Sequence, residues 1–455
     1  MTRWSRARLR AAARAILREA LLAADPHRLV RRQLKLRAGA LEAAGVRHRL
    51  GRGRLVLVAV GKAAVPMARA AEEALGGRLD EGLAVSTAAE GALERVRLLT
   101  ASHPVPDARG LAAAAEVESL ARGLGRDDLL LVLLSGGASA LLPSPAEGIT
   151  LADKARTTTL LLRAGATIHE TNTVRKHLSR LKGGGLARAA APARVVTLVL
   201  SDVVGDDLAT IASGPTVPDP STFADALSVL RRREILDDVP APVRARLLAG
   251  ARGEVAETPK PGEAAFRRVA TRVVGSNRLS VEAASREARR QGLRPLVLTT
   301  RLEGEAREVA RVLVAELREC VESSRPAPPP VCLLAGGETT VTVRGGGQGG
   351  RNQELAVAAA QCLDRFPVPA VVACLATDGI DGASDAAGGV ADDTSVARAA
   401  SLGLAPADAF LAASDTRNYL GPLGDLVVTG ATGTNVVDVV ALLAGPPLRP
   451  GAIIL

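Results

Sequence analysis

LVLVAVGKAAVPMA, residues Leu55–Ala68, sets six apolar residues in an unbroken run, then a glycine, a lysine and a helical pattern with Pro66 in its first turn. A run with no polar face predicts a strand covered on both sides, as the strands of parallel sheets are. The unit recurs. LLLVLL runs up to Ser135, VVTLVL to Ser201, PLVLTT to Arg301, VCLLA to Gly336, VVACLA to Thr377 and DLVV to Thr429, with helical patterns between them. The expected class is α/β, with largely parallel sheets.

At 455 residues the chain exceeds what one core usually serves, so two domains are expected, with ligands between them. The stretch Gly250–Gly262 reads as the linker and gives domains 1–255 and 256–455; Ser323–Pro330 reads as a loop on the second. Apolar residues make up 47% of the chain and aromatics 1%, so the cores are expected to be Leu, Val and Ala. So few rings leave few stacking platforms for single-stranded nucleic acid. The net charge of +10 is scattered along the chain, which points to small anions rather than a nucleic-acid partner.

Cys320, Cys332, Cys362 and Cys374 form no CxxC pair, which fits a reducing cytoplasm without a structural metal. The segment TRWSRARLRAAARAILREALLAADP keeps Leu9, Ala13, Ile16, Ala20 and Ala24 at helical spacing, and Glu19 and Asp25 depart from transit-peptide composition. A docked helix is expected. No apolar run reaches membrane-spanning length, so no membrane role is expected.

In parallel sheets ligands sit beyond the carboxyl ends of strands, and the polar and glycine-rich clusters fall there. VRGGGQGGRNQELAVAAA, Val343–Ala360, places Gly345, Gly346, Gly347, Gly349 and Gly350 after a β-patterned run, Thr339–Val343, and before Arg351 and a helical pattern. Glycines let backbone approach an anion, a helix N-terminus points N–H groups at it, and arginine adds a forked contact. The alternative is a mobile hairpin. Lys62 at a helix start opposes the helix dipole unless an anion lies between them. The turn Ser135–Ser139, through Gly136 and Gly137, could hold a phosphate or carboxylate, and it fails the serine nucleophile pattern because position 141 is Leu.

Arg175 and Lys182 stand two helical turns apart in a basic helical pattern, and His169 beside Glu170 lacks the second histidine of a metal site. Asp202 ends a strand, where a carboxylate can take a hydroxyl proton or hold Mg²⁺. Asp206 and Asp207 read equally as caps. Asp378, Asp381 and Asp385 follow another strand without EF-hand spacing, and Thr429–Asn435 precedes what reads as a last helix.

With these runs in view the sequence resembles the glycerate 2-kinases of the MOFRL family, some members of which have carried the name hydroxypyruvate reductase. VGKAA, SGGASALLPSPAEG, HETNTVRKHLSRLKGGGLA, LSDVVGDDLATIASGPTVPDP, GGETTVTVRGGGQGGRNQE, ATDGIDG, SDAAG and TGATGTN occur in order from Gly61 to Asn435. The resemblance implies a Rossmann-like N-terminal domain, a smaller C-terminal α/β domain and a cleft, and transfer of the ATP γ-phosphate to the 2-hydroxyl of D-glycerate. It implies Lys62 and Asp202 as the catalytic pair and Arg351 as the phosphate-binding arginine. Substrate or phosphate contacts are expected from Ser135, Gly136, Gly137, Ser139, Arg175, Lys182, Glu338, the Gly345–Gly350 loop, Asn352, Thr434 and Asn435. ATP and Mg²⁺ are the expected cofactors, with Asp378 a candidate metal ligand and homo-oligomerisation left open. The segment Ala412–Val428 departs from the Asn-rich, aromatic stretch that family members usually carry there.

Two rival classes remain. Gly345, Gly347 and Gly350 formally fit the dinucleotide fingerprint of an NAD(P)H-dependent hydroxypyruvate reductase, although the acidic residue expected about twenty positions further on is replaced by apolar Ala370–Ala373. A sugar-phosphate-binding regulator could use the same loops but has no need of Asp202.

Overall fold

A computed structural model describes residues 4–37, 39–87 and 91–447. The chain forms two compact units, Pro26–Val274 and Met1–Asp25 with Gly275–Leu455. This division differs from the expected one at 255/256 in two ways. The strand Val269–Gly275 joins the edge of the first unit's sheet, and the N-terminal helix belongs to the second unit.

The first unit carries a six-stranded sheet in the order Val96–Thr100, Glu81–Ser86, Leu55–Val60, Leu129–Leu134, Arg194–Leu200, Val269–Gly275. From Val96–Thr100 to Arg194–Leu200 the pairings are parallel, as the unbroken apolar runs predict. Every residue of Leu55–Val60 and Leu129–Leu134 is buried. The chain builds outward from Leu55–Val60 in one direction and then returns to its other side with Leu129–Leu134. The switch point therefore lies between these two strands, where ligands gather in such sheets.

The second unit corrects the expectation of a largely parallel sheet. Its six strands run Arg294–Leu302, Val331–Gly337, Asp438–Ala444, Ala370–Ala376, Gly388–Asp392, Leu426–Val427, and only the first pair is parallel. Asp438–Ala444, read from sequence as the last helix, is a fully buried strand at the centre of this sheet. An apolar run buried on all sides carries no period that separates strand from helix. Likewise Thr339–Val343 is not a strand; only an isolated bridge joins Thr340 to Glu305.

The helix Arg6–Leu22 forms as its spacing predicts, and Leu9, Ala13, Ile16, Ala20 and the following Ala24 are fully buried. Residues 2 and 3 of that segment lie outside the described residues. The helix packs with Val281, Val371 and Val439, and Arg10 bonds both Asp392 and Asp425. No helix among the described residues is long and apolar enough to cross a membrane.

Trp4, the chain's single tryptophan, sits in the same core as Ile16, so its fluorescence reports on this unit. Ile16→Ala should destabilise the unit by about 2–5 kcal/mol, the usual range for truncating a fully buried isoleucine. Urea unfolding followed at Trp4 checks this; an unchanged midpoint would mean the helix does not hold the core together.

Candidate active site

Two loops meet at the switch point of the first unit. Gly61, at φ +130°, ends the strand Leu55–Val60, and a Cβ there would stand 2.1 Å from Ser135 Oγ. That hydroxyl accepts the Ala63 N–H at 3.0 Å, and the Lys62 N–H donates to the Gly136 carbonyl at 2.9 Å. Ser135, expected to contact substrate, is buried and instead holds the Lys62 turn in place.

Gly136 and Gly137 are glycines because side chains of this protein approach them closely. A Cβ on Gly136 would lie 2.0 Å from Asp202 Oδ2; one on Gly137 would meet His103 Cδ2 at 3.1 Å and Lys62 Cγ at 3.3 Å. The turn thus brings together Lys62, whose side chain is exposed, the half-buried Asp202, and His103. Burial, followed by the Lys62 charge, lowers the His103 pKa and favours its neutral ring.

Beside this turn Ser139 is the hub of a cation cluster. Its hydroxyl accepts from Arg175 Nη2 at 2.6 Å and from Lys182 Nζ at 2.9 Å, and lies 2.8 Å from Ser213 Oγ; its carbonyl accepts from Lys182 at 2.7 Å. Ser213 Oγ donates to Asn172 Oδ1 at 2.9 Å. Lys154 donates to the Pro143 carbonyl at 2.5 Å. Among the described residues none of these three cations pairs with a carboxylate. Burial, followed by the Arg175 charge, pushes both lysines well below their ordinary pKa. His103, Gly137, Ser139, the three cations and Asp202 line one cavity of about 480 Å³.

Arg175 and Lys182 do converge, but not along one helix. The helix Ile168–His177 ends before Lys182, which reaches Ser139 from the following turn. His169 is exposed beside Asp207, and Asp207 itself caps its local turn through Ala209 and Thr210. Lys154 and His103 were missed. Lys154 stands with Thr157 and Leu161 on the buried face of the helix Leu151–Arg163, and a lysine at such a position is a readable signal. His103 follows the strand Val96–Thr100, whose mixed sequence hid it.

In the second unit the helix Arg351–Leu363 starts directly after Gly350, as expected. Its N-terminus, however, is already capped by a carboxylate. Asp381, buried, accepts the N–H groups of Asn352 and Gln353 at 3.0 and 2.8 Å, and Asn352 Nδ2 at 3.2 Å. Asn352 therefore binds Asp381 rather than standing free for phosphate. The glycines are pressed against the chain too: added Cβ atoms would lie 2.5 Å from Ala413 O at Gly345, 2.4 Å from Asp415 Cβ at Gly347, 2.2 Å from Thr416 Oγ1 at Gly349 and 2.3 Å from Asp381 C at Gly350. Gly346 alone faces open space. The divergent segment 412–428 forms this backing, accepting the Gly347 N–H at Ala413 O and the Gln348 N–H at Asp415 Oδ1.

Arg351 forks onto Asp438, with Nη2 to Oδ1 at 3.0 Å, and meets Glu338 at 2.8 Å. Both expected contacts, Arg351 and Glu338, are thus held to each other. Burial pushes Asp438 up to about 6, while its charge keeps Arg351 firmly protonated. Gly347, Gly349, Gly350, Arg351, Glu338 and Thr416 line a cavity of about 410 Å³. Thr434 and Asn435 serve the backbone: Thr434 Oγ1 donates to Ala24 O at 2.6 Å and Asn435 Oδ1 accepts the Val437 N–H at 2.9 Å. Asp378 Oδ1 accepts the Ile380 N–H at 3.1 Å, and Asp385 pairs with Arg417. Among the described residues no group of three His, Cys, Asp or Glu could hold a metal by itself.

Comparison with known proteins shows the family. The chain matches a domain of unknown function, DUF4147, over residues 12–248 and the MOFRL family over residues 331–438. A Pyrococcus horikoshii protein named glycerate 2-kinase is 42% identical across 93% of this chain and 94% of its own length. This chain belongs to the MOFRL-family glycerate 2-kinases. The family's D-glycerate 2-kinase of Thermotoga maritima is 41% identical across 86% of this chain and 91% of its own. The crystal structure of a Thermotoga maritima glycerate kinase superposes with a TM-score of 0.86 at 38% identity, covering 96% of this chain and 99% of that one. A relative from Agrobacterium vitis, 44% identical across 87% of this chain and 88% of its own, carries the provisional name hydroxypyruvate reductase.

The packing of the glycine loop makes a side chain at Gly347 costly to the fold. Gly347→Val should destabilise the protein by about 1–3 kcal/mol through overpacking, whereas Gly346→Val stays near the parental value. Differential scanning fluorimetry of the two variants checks this. Equal melting temperatures would show that the loop moves freely off Asp415.

Proposed function

We propose that this protein, acting in the cytoplasm, transfers the γ-phosphate of ATP to the 2-hydroxyl of D-glycerate, giving 2-phosphoglycerate and ADP. The observation that carries the reading is the cluster of cations around Ser139, unmatched by any carboxylate among the described residues, beside a lysine and an aspartate that both border the Gly136–Gly137 turn. Buried cations without partners are unfavourable until an anion joins them. Arg175, Lys182 and Ser139 bind the glycerate carboxylate. Asp202 orients the 2-hydroxyl and accepts its proton as the oxygen bonds to phosphorus. Lys62 neutralises charge growing on the phosphoryl oxygens, and the bond to the ADP oxygen breaks.

Arg351 and the Gly345–Gly350 loop take the nucleotide phosphates. Gly349 and Gly350 support this, since their N–H groups have no acceptor among the described residues. Asp378, with one oxygen bonded to Ile380, is the residue that would hold Mg²⁺, an ion that commonly takes one or two carboxylates and completes its shell with phosphate and water. Bound there, the ion would offset phosphate charge.

The reductase reading loses its main support in the sheet order. In a dinucleotide-binding βαβ unit the strands on either side of the helix belong to one parallel sheet at the ligand crevice. Here Val331–Gly337 and Ala370–Ala376 are separated by Asp438–Ala444, which runs antiparallel to both.

Incubation with D-glycerate, ATP and Mg²⁺ should release ADP and give 2-phosphoglycerate as the dominant phosphorus NMR signal. Hydroxypyruvate-dependent NADH oxidation at an enzymatic rate, or a 3-phosphoglycerate signal before any mutase is added, would overturn the reading. Asp202→Asn should lower kcat by roughly 10²- to 10⁴-fold, and Lys62→Met should likewise act mainly on kcat. Parental turnover in both variants at saturating substrate would remove these residues from the mechanism.

A further inference from the structure

Three cations are more than one carboxylate needs. Arg175 and Lys182 both bond Ser139, so a carboxylate seated there meets two charges at once. Lys154 is different. It is 8% exposed, its ammonium bonds a neutral carbonyl, and it lines the same cavity without touching Ser139.

Among the described residues, no carboxylate pairs with its ammonium. Arg175 and Arg180 repel it, and Arg180 is itself paired with Glu118 at 2.8 Å. On its own helix the neighbouring cavity residues, Leu151, Ala155 and Thr158, are uncharged. Lys154 is itself buried, so the field of its ammonium is weakly screened. The cavity's about 480 Å³ also leaves room beyond a three-carbon acid.

We infer that the pocket also takes 2-hydroxy dicarboxylates, with Lys154 binding the second carboxylate. The smallest is hydroxymalonate (tartronate), which is glycerate with its terminal CH₂OH replaced by a carboxylate. Its first carboxylate sits at Ser139, and the second occupies the place of the CH₂OH group and faces Lys154. The inference concerns binding alone, and it rests on reading this pocket as the acceptor site.

Isothermal titration calorimetry on the full chain without nucleotide tests it, with tartronate, D-glycerate and D-lactate as probes. Tartronate should bind at least about tenfold more tightly than D-lactate, a margin of about 1.4 kcal/mol. Lys154→Met should reduce that margin to within about twofold, and Lys154→Arg, which keeps the charge, should retain most of it. Tartronate binding no tighter than D-lactate overturns the inference, and so does an equal loss for both ligands in Lys154→Met. Should Lys154→Met fail to fold, Lys154→Gln, which keeps a donor for the Pro143 carbonyl but removes the charge, carries the same comparison, and a margin of parental size there overturns the inference. An ADP assay separates the two readings. ADP formed from D-glycerate without tartronate binding defeats this inference alone; tartronate binding without ADP formation defeats the kinase reading and leaves this one standing.

Discussion

The Asp202 carboxylate lies 2.0 Å from where a side chain on Gly136 would begin, and the proposed acceptor site depends on that position being empty. The same turn gives its carbonyl to the Lys62 N–H and its preceding hydroxyl to the Ala63 N–H. One short loop therefore sets the position of the aspartate, the lysine and the start of the cation pocket. The parallel sheet makes this possible, because strand order places Leu55–Val60 beside Leu129–Leu134 and ends both at one edge.

The second unit builds its proposed nucleotide-phosphate site by a different route. Its helix N-terminus is occupied by Asp381, and its arginine is held by Asp438 and Glu338. Arg351 is thus fixed in direction before any ligand arrives, which limits the ordering that binding must impose. The glycines allow segment 412–428 to pack against the loop and fix its course. A motif read as glycine backbone open to a phosphate is in the first place a tightly packed one.

Much of the first unit was legible because its strands are buried on both faces and write themselves as unbroken apolar runs. Lys62, Asp202 and Ser139 stood out as polar residues at the ends of those runs or in their following turns, and Arg175 and Lys182 as cations of a basic helical pattern. Lys154 and His103 did not. One is marked in the sequence only by its place on the buried face of a helix among ordinary-looking charges, and the other follows a strand of mixed sequence. Asn352, Thr434 and Asn435 were recognised as motif residues, but only the structure shows their side chains holding Asp381, Ala24 and Val437.

The sequence alone determined the α/β class, the docked N-terminal helix and the family to which the chain belongs, because periodicity, apolar runs and ordered motifs are local properties. Tertiary structure decided that Asp438–Ala444 is a central strand, that the second sheet is mostly antiparallel, and that the N-terminal helix packs with the C-terminal half. It also decided which charges are matched. Arg351 and Arg175 are both arginines of the family's motifs, yet among the described residues one finds two carboxylates and the other none. Whether a cation is neutralised depends on residues far away in the chain, such as Asp438 for Arg351, and no local pattern records that distance.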